Sequence, residues 1–244
     1  MAWEPWTGCY KISDGCTYCY YYGPYSKRFG QNTVVKTDEF YKPIETIFMP
    51  RKKITKYKIE SGKNINTCFT TDFFIPESDE WRGEAWSIMK QRPDLTFTFL
   101  TKRIERFHVS LPDDWGDGYD NVRIGCTVEN QETADFRLPL YVSYPIKNRF
   151  IVCSPLLSNI NLTPYLHRVK SVRVSGENGR NARVCDYDWI IDIREQCKKD
   201  DVQFYFGGTG THFKKDGVLH YVNPYKQKSF AREIGLETIT YDED

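Results

Sequence analysis

The sequence lacks an excess of charge of either sign and lacks any long hydrophobic run. Its 244 residues carry 34 Lys and Arg against 33 Asp and Glu, a net charge of +1, which argues against a uniformly basic surface for nucleic acid. The longest uncharged stretch, residues 150–166, is interrupted by Pro155 and Pro164 and is no membrane span. No basic segment followed by an apolar run opens the chain, so we expect a cytoplasmic protein without membrane contact.

The composition is that of a globular protein with unpaired cysteines. Apolar residues make up 40% of the chain and aromatic residues 16%, enough for a full hydrophobic core. No shift of composition marks a boundary, so we expect a single domain over residues 1–244. Eight cysteines in a reducing compartment predict thiols, metal ligands or redox groups in place of a disulfide framework.

Apolar, β-branched runs alternate with segments of helical spacing. The runs predict buried strands over residues 65–71, 96–101, 122–128, 149–153, 171–174 and 202–206. The spacing predicts helices that bury Trp81, Ala85, Ile88 and Met89, and Trp189, Ile190, Ile193 and Cys197. This alternation predicts an α/β fold with a parallel sheet, arranged as a partial or full β/α barrel of about six units.

Three cysteines lie close together near the beginning of the chain, at Cys9, Cys16 and Cys19. A structural zinc site needs four ligands, and the next cysteine, Cys68, falls at the centre of a predicted strand. Three thiolates suit a [4Fe–4S] cluster that keeps one iron open for a substrate or cofactor. The alternatives are a zinc site that borrows a distant ligand, or plain reduced thiols.

Two further features have ordinary interpretations. Cys68, Cys126, Cys153 and Cys197 fall in apolar segments and are expected to be buried, whereas Cys185 lies in a loop-like segment and receives no role. The basic run at residues 51–58 is expected to be the solvated face of a helix. The alternative for this run is contact with phosphate groups.

The cysteine motif resembles that of a known family. The run Trp3-Glu-Pro-Trp-Thr-Gly-Cys9, followed by Gly15-Cys16 and Cys19-Tyr20, is similar to the opening of the phage-associated radical S-adenosylmethionine (SAM) proteins with a C-x6-C-x2-C motif. Five later segments, in the same order, resemble the ends of that family's second to sixth strands: residues 71–77, 99–103, 125–131, 154–157 and 175–179.

The resemblance implies an enzyme with two cofactors, a [4Fe–4S] cluster on Cys9, Cys16 and Cys19 and SAM bound at its open iron. An electron from a flavodoxin- or ferredoxin-type partner would cleave SAM to methionine and a 5′-deoxyadenosyl radical. The protein places the cofactor and excludes water. The radical would take hydrogen from an unidentified substrate.

The resemblance also implies cofactor contacts. Tyr18 is expected beside the adenine, Asp72 at the methionine amino group and Glu129 at the ribose. Lys102 is expected at the methionine carboxylate, at the substrate, or in a salt bridge with Asp72 or Glu129. The full set of expected SAM contacts is Tyr18, Thr70, Thr71, Asp72, Lys102, Thr127, Glu129, Ser154 and Glu177.

The alternative function is a nucleic-acid-binding module that carries zinc or an iron–sulfur cluster and performs no SAM chemistry. The basic run 51–58 and the 17 tyrosines, which can stack on bases, favour it. However, the polar residues at the strand ends are mixed in sign, and Asp72, Glu129 and Glu177 would repel a polyanion. We therefore expect a small or nucleotide-sized substrate in preference to a long duplex.

Overall fold

The computed structural model of the chain describes residues 1–22 and 33–236. The described residues fall into two compact units. The first comprises Met1–Tyr10, Tyr20–Gly125 and Tyr144–Asn148, and the second comprises Lys11–Cys19, Cys126–Ser143 and the chain from Arg149 onward. The single domain over residues 1–244 stays a prediction. No helix in the described part is long and apolar enough to cross a membrane.

Short strands and helices alternate along most of the chain. The strands are β1 (Ala2–Trp3), β2 (Trp6–Thr7), β3 (Val35–Lys36), β4 (Thr46–Met49), β5 (Ile54–Tyr57), β6 (Asn64–Thr67), β7 (Thr96–Thr101), β8 (Val122–Thr127), β9 (Asn148–Cys153), β10 (Ser171–Ser175), β11 (Cys185–Asp186), β12 (Gln203–Gly208), β13 (His212–Lys215) and β14 (Val218–Tyr221). The α-helices are α1 (Asp79–Gln91), α2 (Gln131–Ser143), α3 (Thr163–Leu166), α4 (Tyr187–Lys199) and α5 (Gln227–Glu233).

The largest sheet of the described residues has seven strands, in the order β1-β6-β7-β8-β9-β10-β12. The pairs β1–β6 and β6–β7 are parallel in the first unit, as are β9–β10 and β10–β12 in the second. The α/β class and the parallel sheet are therefore confirmed, and the barrel stays a prediction. Smaller antiparallel pairs join β2 to β3, β4 to β5 and β13 to β14.

Most of the predicted strands of the seven-stranded sheet are confirmed. They could be predicted because many of their residues are buried and therefore apolar. In β7, Phe97 and Phe99 are fully buried, and in β9 Ile151 and Cys153 are fully buried. Parallel strands with helices between them in the chain are covered on both faces, so they have continuous apolar runs. The predicted and observed bounds of β7 are identical, and those of β8, β9 and β10 agree within a residue.

The two predicted helices are also confirmed. Helix α1 buries Ala85, Ile88 and Met89, and helix α4 buries Ile190, Ile193 and Cys197. Trp81 and Trp189, which were also expected to be buried, are only half-buried. The Asp186 side chain caps the first turn of α4 by accepting a hydrogen bond from the backbone N–H of Asp188.

Three expectations for local structure are wrong. The strand predicted over residues 65–71 ends at Thr67, and Cys68 follows it with a φ of 58°, in the left-handed region, which a strand cannot continue through. The basic run 51–58 is not a helix face, because β4 and β5 pair as a hairpin with Pro50 and Arg51–Lys53 in its turn. Cys185, expected in a loop, lies in the short strand β11 and is fully buried.

Candidate functional site

The three motif cysteines lie outside the β-strands and α-helices. Residues Asp14–Cys16 form a single turn of 3₁₀ helix, and the backbone N–H of Cys19 donates to the carbonyl of Cys16. Cys9 and Cys19 are half-buried, and Cys16 is 8% exposed. None of the three forms a disulfide.

Glu129, directly after β8, holds the turn that contains Cys16. The Ser13 hydroxyl donates to Glu129 Oε1 over 2.8 Å, and Arg137 Nη1 of helix α2 donates to Oε2 over 2.8 Å. The same Nη1 also donates to the carbonyl of Thr127. Glu129 is fully buried and Arg137 is 4% exposed, so this is a buried ion pair whose partners depend on each other.

Gly15 is required beside Glu129 because a larger residue has no space there. A Cβ atom at Gly15 would lie 2.4 Å from Glu129 Cγ and 2.5 Å from Oε1, both far below van der Waals contact. The carboxylate can therefore approach the turn only because position 15 has no side chain.

Glu177, after β10, contacts the same turn through an arginine. Arg183 donates to Glu177 from Nε over 2.9 Å and from Nη2 over 2.7 Å, and its Nη2 also donates to the carbonyl of Asp14. The hydrogen bonds that Arg183 donates to Glu177 raise the pKa of Arg183. The guanidinium lies 5.4 Å from the centre of the Tyr18 ring, which is 44% exposed. Two predicted site residues, Glu129 and Glu177, thus support residues 13–18.

In the first unit, Asp72 reaches Cys9 through Arg103. The Asp72 carboxylate accepts hydrogen bonds from Thr101 Oγ1 over 2.8 Å and from the backbone N–H of Lys102 over 2.9 Å, and it pairs with Arg103 Nη1 over 3.3 Å. Arg103 Nη1 also lies 4.0 Å from Cys9 Sγ, and Nη2 donates to the carbonyl of Tyr10. Both members of the Asp72–Arg103 pair are buried.

Arg103 places a positive charge beside Cys9. Burial lowers the pKa of Arg103, but the neighbouring Asp72 and Cys9 outweigh burial, and the net shift is upward. This guanidinium, 4.0 Å from Cys9 Sγ, is placed to pair with a thiolate, which is the form of cysteine that binds metal.

Thr70 and Thr71 hold the segment that precedes Cys9. The hydroxyl of Thr70 donates to Glu4 Oε2 and shares a hydrogen bond with Thr7 Oγ1, each over 2.9 Å, and the hydroxyl of Thr71 donates to the carbonyl of Gly8. Burial is the main cause that raises the pKa of Glu4. Glu4 could not be selected from the sequence, because the partners of its side chain, Phe69 and Thr70, lie more than sixty residues away.

The other predicted residues have different neighbours. Ser154 shares a 2.6 Å hydrogen bond with Ser175, and the Thr127 side chain is buried. Asp72 and Glu129, the expected salt-bridge partners of Lys102, pair with Arg103 and Arg137. Arg103, Arg137 and Arg183, which pair with the predicted carboxylates of Asp72, Glu129 and Glu177, were not among the predicted site residues.

The remaining five cysteines are buried. Burial raises the pKa of Cys68 and Cys153 well above the ordinary thiol value, and raises the pKa of Cys185 and Cys197 to about 12. Cys126 is fully buried as well. Such thiols stay protonated and are poor metal ligands, as expected for Cys68, Cys126, Cys153 and Cys197.

Within residues 1–22 and 33–236, no group of three or more His, Cys, Asp or Glu side chains is arranged to hold a metal ion. A family model described as "Protein of unknown function (DUF5131)" matches residues 1–243. No curated protein and no solved structure gives a significant match.

Proposed function

The chain belongs to the DUF5131 family, and we propose that it is a radical SAM enzyme with a partial β/α barrel, in which Cys9, Cys16 and Cys19 hold a [4Fe–4S] cluster. The observation that carries the proposal is the contrast between two sets of cysteines. The motif cysteines lie outside the β-strands, in segments contacted by charged side chains that follow strand ends, with Cys9 and Cys19 half-buried and Cys16 8% exposed. The other five cysteines are at most 3% exposed.

The donor set fits such a cluster in its chemistry. Three cysteines that form no disulfide would leave one iron open, and Arg103 beside Cys9 would offset the negative charge of thiolate ligands. Because the described residues contain no assembled metal-binding group, the proposal rests on thiol chemistry and not on a preformed site. When bound, the cluster would supply the electron that cleaves SAM to methionine and a 5′-deoxyadenosyl radical.

The buried carboxylates of Asp72 and Glu129 act as positioning residues in this proposal. Asp72 is 5% exposed and Glu129 is fully buried, and each already accepts several hydrogen bonds from the protein. Asp72 would orient Arg103 toward Cys9, and Glu129 would fix the turn before Cys16. Direct contacts of SAM with these and the other expected residues stay predictions, with the half-exposed Tyr18 ring accessible to an adenine.

The same proposal implies an electron donor, a substrate of limited size and a reducing compartment. Cluster reduction needs an electron donor of flavodoxin or ferredoxin type, and the substrate is small or nucleotide-sized. A reducing cytoplasm would keep the cluster ligands as thiols.

The proposal is tested by iron binding under anaerobic conditions. Wild-type protein reconstituted with iron and sulfide should be brown, and the single variants Cys9→Ala, Cys16→Ala and Cys19→Ala should lose the bound iron. Cys197→Ala is the matched control, because this thiol is buried in helix α4 and should leave the iron content unchanged.

Two results would contradict the assignment. Full iron content in Cys16→Ala would show that this thiol is no ligand. Colourless protein that contains stoichiometric zinc and takes up no iron would favour the zinc-bearing nucleic-acid-binding module instead.

A further inference from the structure

The hairpin formed by β4 and β5 presents a concentrated positive charge. Between Thr46 and Lys58 there are five basic residues and no acidic residue. Two of the five are engaged at the base: Lys58 pairs with Glu45 over 2.8 Å, and Lys56 lies 4.0 Å from Glu60. Arg51, Lys52 and Lys53 form the exposed tip, where none of them pairs with an acidic side chain of the described residues.

The base of the hairpin is fixed. Arg92, which is 1% exposed, donates from Nη2 to the carbonyl of Ile59 and from Nη1 to the carbonyl of Pro43, and its guanidinium lies 4.1 Å from the centre of the Tyr57 ring. Both ends of the hairpin are thus attached to one buried arginine. Because its base is fixed, the hairpin loses less conformational entropy on binding than a mobile loop would.

The body of the hairpin is exposed on both faces. Phe48 is 58% exposed, while Ile47 and Ile54 are 48% and 47% exposed. Phe48 pairs across the hairpin with Thr55, and Ile47 pairs with Lys56, so the two pairs point to opposite faces. β4 and β5 pair only with each other in the described sheets.

We propose that the β4–β5 hairpin is a docking element that enters the major groove of duplex DNA, with Arg51, Lys52 and Lys53 on phosphate groups. The major groove admits a two-stranded β-ribbon, and its depth of about 8.5 Å is less than the roughly 13 Å that a four-residue strand spans. The inference does not depend on the proposed function, because the hairpin contains none of the proposed cluster ligands.

The order of residues along the hairpin favours a polyanion over a lipid surface. A hairpin that enters a membrane places its apolar residues deepest and its charges behind them. Here the charged tip lies farthest from the base, and Ile47, Phe48 and Ile54 lie behind it. A-form RNA has a deep, narrow major groove that side chains cannot read, so DNA is the better fit.

The test is fluorescence anisotropy with a labelled B-form duplex over a series of salt concentrations. The triple variant Arg51→Ala, Lys52→Ala, Lys53→Ala should bind more weakly. Its slope of log affinity against log salt should be shallower by about 2.7, which corresponds to three lost phosphate contacts at about 0.9 each. Phe48→Ala should also weaken binding, because the exposed ring is placed to contact the groove.

The matched control removes the same charge elsewhere. Lys63, Lys198 and Lys199 are exposed, and their triple change to alanine should keep the wild-type slope. Both triple variants should melt at the wild-type temperature.

Equal affinity and equal slope in the two triple variants would overturn the proposal. Failure of the wild-type protein to bind the duplex, or tighter binding to an RNA duplex of the same sequence, would also overturn it. So would hairpin-dependent binding to vesicles of anionic phospholipid without hairpin-dependent binding to DNA.

Discussion

Replacement of Glu129 by alanine removes the carboxylate that joins the cysteine turn to helix α2. In the wild-type protein this group accepts hydrogen bonds from Ser13 Oγ and from Arg137 Nη1, each over 2.8 Å. Arg137 is 4% exposed, so the variant leaves a guanidinium in the interior without its counter-charge. The Ser13 hydroxyl also loses its acceptor, and the turn before Cys16 loses an attachment.

The size of the effect follows from this burial. Removal of one partner from a buried ion pair costs about 3–5 kcal/mol, because the remaining charge is desolvated and uncompensated. For a chain of this size, that loss lowers the melting temperature by about 6–20 °C, at about 2–4 °C per kcal/mol. Glu129→Gln should lose less than Glu129→Ala, because its amide oxygen still accepts a hydrogen bond.

Denaturant unfolding gives the free energy, and thiol labelling of the metal-free protein reports on the turn. Glu129→Ala should expose Cys16 to faster labelling. The control is Glu84→Ala, which breaks the exposed pair with Lys36 and should cost no more than about 1 kcal/mol. If Glu129→Ala cost no more than the control, or left Cys16 labelling unchanged, Glu129 would not hold the turn.

Two other predictions concern space and pH. Gly15→Ala should displace the turn from Glu129 and reduce the amount of iron that the protein retains. The control is Gly83→Ala in helix α1, where the added Cβ has no neighbouring atom within 4 Å and should stabilise the protein by about 1 kcal/mol. Normal iron content in Gly15→Ala would contradict the packing argument. The hydrogen bonds from Arg92 lower the pKa of Asp94 to about 2. This interaction stabilises the fold above about pH 4 and is lost as the pH falls toward 2. The free energy of unfolding should therefore fall more steeply for the wild-type protein than for Asp94→Asn over that interval. Parallel curves of unfolding free energy against pH would refute the effect.

The central strands were predictable because burial on both faces leaves a local signature. The run in β7 is apolar or β-branched throughout, and its residues alternate between buried and half-buried; its length of six residues and its β-branched content favour a strand over a helix. The hairpin over residues 46–57 was not predictable in this way, because its strands are exposed and only their mutual pairing defines them. Cys68 shows the same limit, since an apolar run does not reveal where a positive φ ends the strand.

The candidate site was also predictable only in part. The carboxylates after the strands, Asp72, Glu129 and Glu177, could be selected because polar residues at the ends of parallel strands meet at one edge. Their arginine partners could not be selected, because they lie 6 to 31 residues away in the sequence and the pairing depends on how the elements pack. A search for arginines shortly after a strand end would have included Arg103 and Arg183, but not Arg137 within helix α2.

The most direct test of the central claim is the formation of 5′-deoxyadenosine from SAM. Iron-loaded wild-type protein, incubated without oxygen with SAM, a strong reductant and cell extract as the source of the hydrogen donor, should form 5′-deoxyadenosine and methionine in equal amounts, as measured by mass spectrometry. Cys16→Ala should form neither. If the wild-type protein retains its iron–sulfur cluster and still produces no 5′-deoxyadenosine above the Cys16→Ala background, it is not a radical SAM enzyme.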